Sequence, residues 1–66
     1  MSEIPEPVIE ALEAVRASGA TNMMASRLVI DYADDFGYYE AAAWLRANPT
    51  RYMEALRDMG SRRATA

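Results

Sequence analysis

The side chains best suited to chemistry in this chain are carboxylates, and they crowd into one stretch: Asp31, Asp34, Asp35 and Glu40, with Gly37 among them. Oxygen ligands around a glycine suggest a calcium loop, but such a loop needs ligands at alternate positions, glycine at its sixth residue and Glu at its twelfth. The spacing fails that test. The run falls mostly on a segment with helical apolar periodicity, so it reads as a solvated helix face. Asp34 and Asp35 are adjacent and could in principle share a proton, yet neighbours on a helix point about 100° apart and do not face each other. The chain has no His, no Cys and no Lys, which removes imidazole bases, thiolate and amine nucleophiles and every zinc site built from Cys or His. No glycine-rich phosphate loop is present either. No catalytic residue is assigned, and neither enzymatic activity, a cofactor nor a metal is expected.

The better site candidate is the polar joint Ser18-Gly19-Ala20-Thr21-Asn22-Met23. Thr21, Asn22 and the N–H groups opening the next helix could receive an anionic or nucleotide-like ligand, with Arg16 or Arg27 supplying charge. The same residues could equally do no more than cap and turn the chain. Aromatic and Met side chains form the second candidate. Met23, Met24, Tyr38, Tyr39, Trp44 and Tyr52 are candidate interface residues, because consecutive Tyr38 and Tyr39 cannot both face a core and an exposed Tyr beside Trp44 would anchor a partner.

These residues must be positioned by very little protein. A chain of 66 residues forms one domain and hides only about 60% of the surface of its extended form. Miniature domains of this kind usually need a disulfide, a metal or a partner subunit. Cysteine and histidine being absent, self-association is the device left, and a composition 52% hydrophobic with five Met and four Tyr fits a homo-oligomer.

The net charge is −3, and all seven basic residues are Arg. Glu3, Glu6, Glu10 and Glu13 make the start acidic, whereas Arg46, Arg51, Arg57, Arg62 and Arg63 gather in the last third. Nucleic acid is not an expected partner, since nonspecific binding depends on cations neutralising phosphates. No apolar run approaches the roughly 18 residues of a membrane span, and the acidic stretch from Met1 to Pro7 lacks the basic start of a signal peptide. A cytoplasmic protein with no membrane partner is expected.

Apolar periodicity gives an all-α fold, a compact bundle of three to four short helices within a single domain spanning 1–66, with an ordered core over about 7–59 and a frayed tail over 61–66. Pro7 suits the first position of helix one, Val8, Ile9, Leu12 and Val15 share a face, and Gly19 ends it. Helix two begins between Asn22 and Ser26, with Thr21, Asn22 and Ser26 all able to cap it. Its apolar stripe is Met24, Leu28, Val29, Tyr32, Ala33 and Phe36, with Arg27 and Asp31 at ion-pair spacing. Gly37 stops it. Helix three runs from Tyr38 or Tyr39 to Ala47, with Ala42, Trp44 and Leu45 inward. Asn48-Pro49 reads as an N-cap and first turn for helix four, Thr50 to about Asp58, carrying Tyr52, Met53 and Leu56 and closed by Gly60.

The order Val15-Arg16-Ala17-Ser18-Gly19-Ala20-Thr21-Asn22-Met23, then Phe36-Gly37-Tyr38-Tyr39-Glu40, then Trp44 through Tyr52 resembles a family of short helical proteins of unknown function encoded largely by phages and prophages. The resemblance covers about residues 8 to 57. Where that family carries an aromatic residue and an Asp after Thr-Asn-Met, this chain has Met24 and Ala25, which leaves Ser26 or Asn22 as the substitute cap. The resemblance implies a viral or prophage origin, hence a host cytoplasm, and a soluble helical fold; it brings no activity or catalytic residue. The functional expectation is a non-enzymatic interaction module that binds itself and a host or phage protein, with inhibition of a host process as one such role. The alternatives are a module sequestering an anionic or nucleotide-like small ligand and, more weakly, a DNA-binding helix-turn-helix, which the acidic first half argues against.

Overall fold

Four α-helices close on one core in a computed structural model that describes the backbone of residues 4–65 and the side chains of residues 4–61. They are α1 (Glu6–Ser18), α2 (Ser26–Asp35), α3 (Tyr39–Ala47) and α4 (Tyr52–Thr65), with a 3-10 turn at Pro49–Arg51 leading into α4. No strand occurs among the described residues. The radius of gyration is 10.6 Å, close to the roughly 11 Å of a folded domain of this length, so the helices pack on one another rather than stand apart. α1 is the hub, touching each of the other three helices, and α2 packs most extensively on α3.

Helix α1 owes its place to its apolar face. Val8, Ile9, Ala11, Leu12 and Val15 are all buried, at the spacing that puts them on one side of a helix. Ile4, ahead of the helix, is buried with them, so the packed core begins earlier than residue 7. The helix starts at Glu6 rather than Pro7, with Pro5 extended at the N-cap. Either proline position is tolerated because first-turn N–H groups have no intrahelical acceptor. At the other end Gly19 adopts φ 68°, the left-handed conformation, and its N–H reaches Arg16 O at 3.2 Å. Ser18 Oγ seals the same end: it donates to Val15 O at 2.7 Å and accepts from Ala20 N–H at 3.1 Å.

Helix α2 begins at Ser26 with Ala25 at the N-cap, and no side chain caps it. Neither Asn22 nor Ser26 performs that task. Helix α2 ends in a Schellman motif: Tyr38 N–H bonds Ala33 O at 2.9 Å, Gly37 N–H bonds Asp34 O at 3.1 Å, and Gly37 takes φ 97°. Only Val29 and Ala33 of its expected apolar stripe are buried. Met24, Leu28 and Phe36 are exposed instead, because α2 lies at the edge of the bundle and turns to the core only Val29, Ala33 and the half-buried Ile30 and Tyr32.

Two further expectations change in the structure. Asn48 does not cap α4 from ahead; its side-chain amide donates back to Trp44 O at 2.8 Å, closing α3. Gly60 does not end α4, which continues to Thr65. Gly60 is helical with open space around it. A helix-interior glycine costs only about 1 kcal/mol relative to alanine, too little to stop a helix followed by Arg62, Arg63 and Ala64. Ala66 and the side chains of Arg62 and Arg63 lie outside the described residues.

Candidate functional site

The joint between α1 and α2 is built as a turn. Asn22 Oδ1 accepts the Met24 N–H at 2.8 Å, and Ala25 N–H returns to Asn22 O at 3.0 Å. The Asn22 side chain therefore imitates a backbone carbonyl and fixes the turn. Arg16 lies in the last turn of α1 and Arg27 in the first turn of α2, both exposed, while Thr21 is half-buried. All four sequence-derived ligand candidates thus border the joint, but the Asn22 carbonyl oxygen already has its partner.

The joint is pinned from α4. Tyr52 is buried, and its hydroxyl donates to Met23 O at 2.5 Å. Burial pushes the Tyr52 phenol up to about 12, because the phenolate would lose its hydration. Tyr52 is consequently a core residue and offers no surface to a partner. Met23 is half-buried and packs against the core.

The other proposed interface residues line concave surface. A hollow of about 220 Å³ is bounded by Pro7, Gly37, Tyr38, Tyr39, Glu40 and Ala41. A second, of about 490 Å³, is bounded by Pro5, Pro7, Val8, Glu40, Ala43 and Trp44. Pro7 and Glu40 line both, so the hollows adjoin as a groove between the start of α1 and the outer side of α3. Tyr38 leans onto the core and Tyr39 stands 69% exposed, as two consecutive rings require. Trp44 is held on its other side by Arg51, whose guanidinium carbon lies 5.3 Å from the ring centroid. The same guanidinium forks onto Glu54 at 3.0 and 3.1 Å, so the cation is oriented before it stacks.

Large apolar side chains are also exposed outside the groove: Met24 at 64%, Leu28 at 50%, Phe36 at 43% and Met53 at 50%. Leu28, Tyr32 and Phe36 follow one another at four-residue steps and so form one row along α2 and its C-cap, while Met24 lies in the turn ahead of the helix. The Tyr32 and Phe36 rings touch, centroids 6.1 Å apart.

The acidic run is resolved electrostatically. Arg46 of α3 reaches Asp31 at 3.2 Å and Asp34 at 3.4 Å, so Asp31 pairs across helices rather than with Arg27. No group of three or more acidic side chains that could hold a metal ion occurs among the described residues. No described helix is long and apolar enough to cross a membrane. Sequence reading missed Ile4, Ser18, Arg46 and Arg51. The first two carry weak local signals, an apolar residue before a proline and a serine before a helix-ending glycine. Arg46 and its acids are separated by 12 and 15 positions and carry none.

Fold and surfaces together define a small all-α bundle whose core is sealed and whose exterior keeps an apolar row and an aromatic groove. A family model described as a domain of unknown function, DUF5049, matches residues 4–56, most of the chain. The protein belongs to that family. No curated protein and no solved structure matches it.

Proposed function

We propose that this protein is a non-enzymatic interaction module of phage or prophage origin, which acts in the host cytoplasm by occupying a surface of a host or viral protein. The observation that carries the reading is the exposure of five large apolar side chains, Met24, Leu28, Phe36, Tyr39 and Met53, on a chain whose buried polar side-chain atoms among the described residues all have hydrogen-bond partners. Exposed large apolar side chains grouped at Leu28 and Phe36 can serve as contact sites, and the groove beside Tyr39 and Trp44 supplies aromatic anchors for one. The joint is the weaker candidate for a ligand, because Asn22 spends its acceptor on the turn. The net charge of −3 also works against a DNA-binding role.

The test is retention of a protein partner from host lysate on the immobilised chain. Tyr39→Glu in the groove should abolish retention, whereas Arg16→Ala and Asn22→Ala at the joint should leave it intact. Equal retention by Tyr39→Glu and the unmodified chain would remove the groove from the reading. Loss on Arg16→Ala alone would favour the anionic-ligand module.

A further inference from the structure

Viewed down its axis, α2 carries four rows of side chains, each stepping by four residues. The row Val29 and Ala33 is buried, and the row Ile30 and Asp34 lies on the opposite side from the apolar row described above. The apolar row Leu28, Tyr32 and Phe36, in which Leu28 and Phe36 are exposed and Tyr32 is half-buried against the core, is flanked on one side by the buried row. On its other side runs a charged row, Arg27, Asp31 and Asp35. The charged row has a positive end and a negative end. Among the described residues Arg27 and Asp35 form no ion pair, whereas Asp31 is held by Arg46.

We propose that the exposed row of α2 is covered by α2 of a second copy of this chain, running antiparallel about a two-fold axis near Asp31 and Tyr32. Charge complementarity selects both the occupant and the direction. A two-fold axis places the same flank of each helix side by side and reverses its sense. Arg27 of one copy therefore lies level with Asp35 of the other, twice over, while Leu28 of each meets Phe36 of the other. A parallel two-fold pair would turn the charged row of each helix toward the Val29 and Ala33 side of the other, leaving Arg27 and Asp35 without a partner across the interface. The two Asp31 carboxylates that meet near the axis each retain their own Arg46 at 3.2 Å, which reduces the repulsion between them. The apolar row supplies the attraction and the charged row fixes the direction, the division of labour found where helices pair.

This inference rests on reading the exposed apolar side chains as contact surface, but it concerns α2 and not the groove. Sedimentation equilibrium of the full chain at low ionic strength should give a dimer, and Leu28→Glu should give a monomer whose circular dichroism remains helical. Arg27→Asp and Asp35→Arg should each weaken the dimer by about fivefold or more, since each removes two symmetry-related pairs and adds like-charge contacts. The double exchange Arg27→Asp with Asp35→Arg should return the dissociation constant to within about twofold of the original, because the pairs re-form with their signs reversed. A wild-type chain that stays monomeric at high concentration overturns the inference, as does a dimer indifferent to Leu28→Glu or a double exchange no better than its parents. A monomer that still retains a partner through Tyr39 ends this inference and leaves the proposed function standing.

Discussion

Helices α1 and α2 are both amphipathic in sequence, and the structure treats them oppositely. α1 buries Val8, Ile9, Ala11, Leu12 and Val15 and touches every other helix. α2 buries only Val29 and Ala33 and leaves Leu28 and Phe36 in solvent. Periodicity states which side chains share a face; it does not state how many neighbours that face will find. A helix at the centre of a small bundle has its whole apolar stripe covered, whereas a helix at the edge has part of its apolar surface covered and the rest left over. In a chain too short for a second layer, the leftover row is the surface available for contact.

The comparison breaks most visibly at two leucines. Leu12 is fully buried in α1 and Leu28 is half-exposed in α2. Leu12→Ala should cost about 2–5 kcal/mol, comparable to the whole stability expected of a domain this small, so much of the population should be unfolded. Leu28→Ala, measured at a dilution that excludes self-association, should stay within about 0.5 kcal/mol of the parent. Urea titrations followed by circular dichroism decide it. Similar losses at both sites would mean that α2 is no edge helix.

A smaller effect is expected at Tyr52, the α4 residue that ties down the joint from which α2 starts. Its phenol titrates near 10 in an unfolded chain and at about 12 in the folded one. Between those values the unfolded state has released a proton that the native state keeps, so stability falls as pH rises through that window and is unaffected by this group below it. The full loss is roughly 3 kcal/mol. Tyr52→Phe should remove that alkaline decline while costing about 1 kcal/mol at neutral pH, because Met23 O loses its donor. Urea midpoints from about pH 9 to about pH 12 measure both, and an equally steep decline in the Phe variant would assign the loss to other groups.

Most of the fold was legible in the sequence because its signals are local. The apolar spacing of α1, the left-handed glycine at Gly19 and the stop beside Gly37 each depend on a few consecutive residues, and all appear in the structure. Asn48 was legible as a capping residue but not in its direction, since an amide can serve the helix behind it as readily as the one ahead. Gly60 misled because glycine permits a helix end without requiring one. The candidate surfaces were half legible. One of Tyr38 and Tyr39 had to face outward, and it is Tyr39; Met24 and Tyr52 each read both as stripe and as candidate interface, and Met24 is surface whereas Tyr52 is core; Leu28 and Phe36 read as core and are surface. Those reversals depend on which helix is central and which is peripheral, a property of the assembled bundle that no single segment encodes.

The smallest expected effect concerns what holds the edge helix in place. α1 is secured by apolar burial, whereas the outer side of α2 is secured to α3 by Arg46 reaching Asp31 and Asp34. The three side chains are 41–68% exposed, so solvent screens both pairs and their joint contribution should be about 0.5 kcal/mol. Arg46→Met keeps the side-chain length and removes the charge. It should lower the urea midpoint slightly in dilute buffer and not at all in about 1 M salt, where the screening length shrinks to roughly 3 Å. Leu12→Ala should lose the same stability in both buffers, because apolar burial carries no such screening. A loss at Arg46 that persisted in high salt would show that the Arg46 stem is packed and not merely paired, and would place α2 closer in kind to α1 than its exposed row suggests.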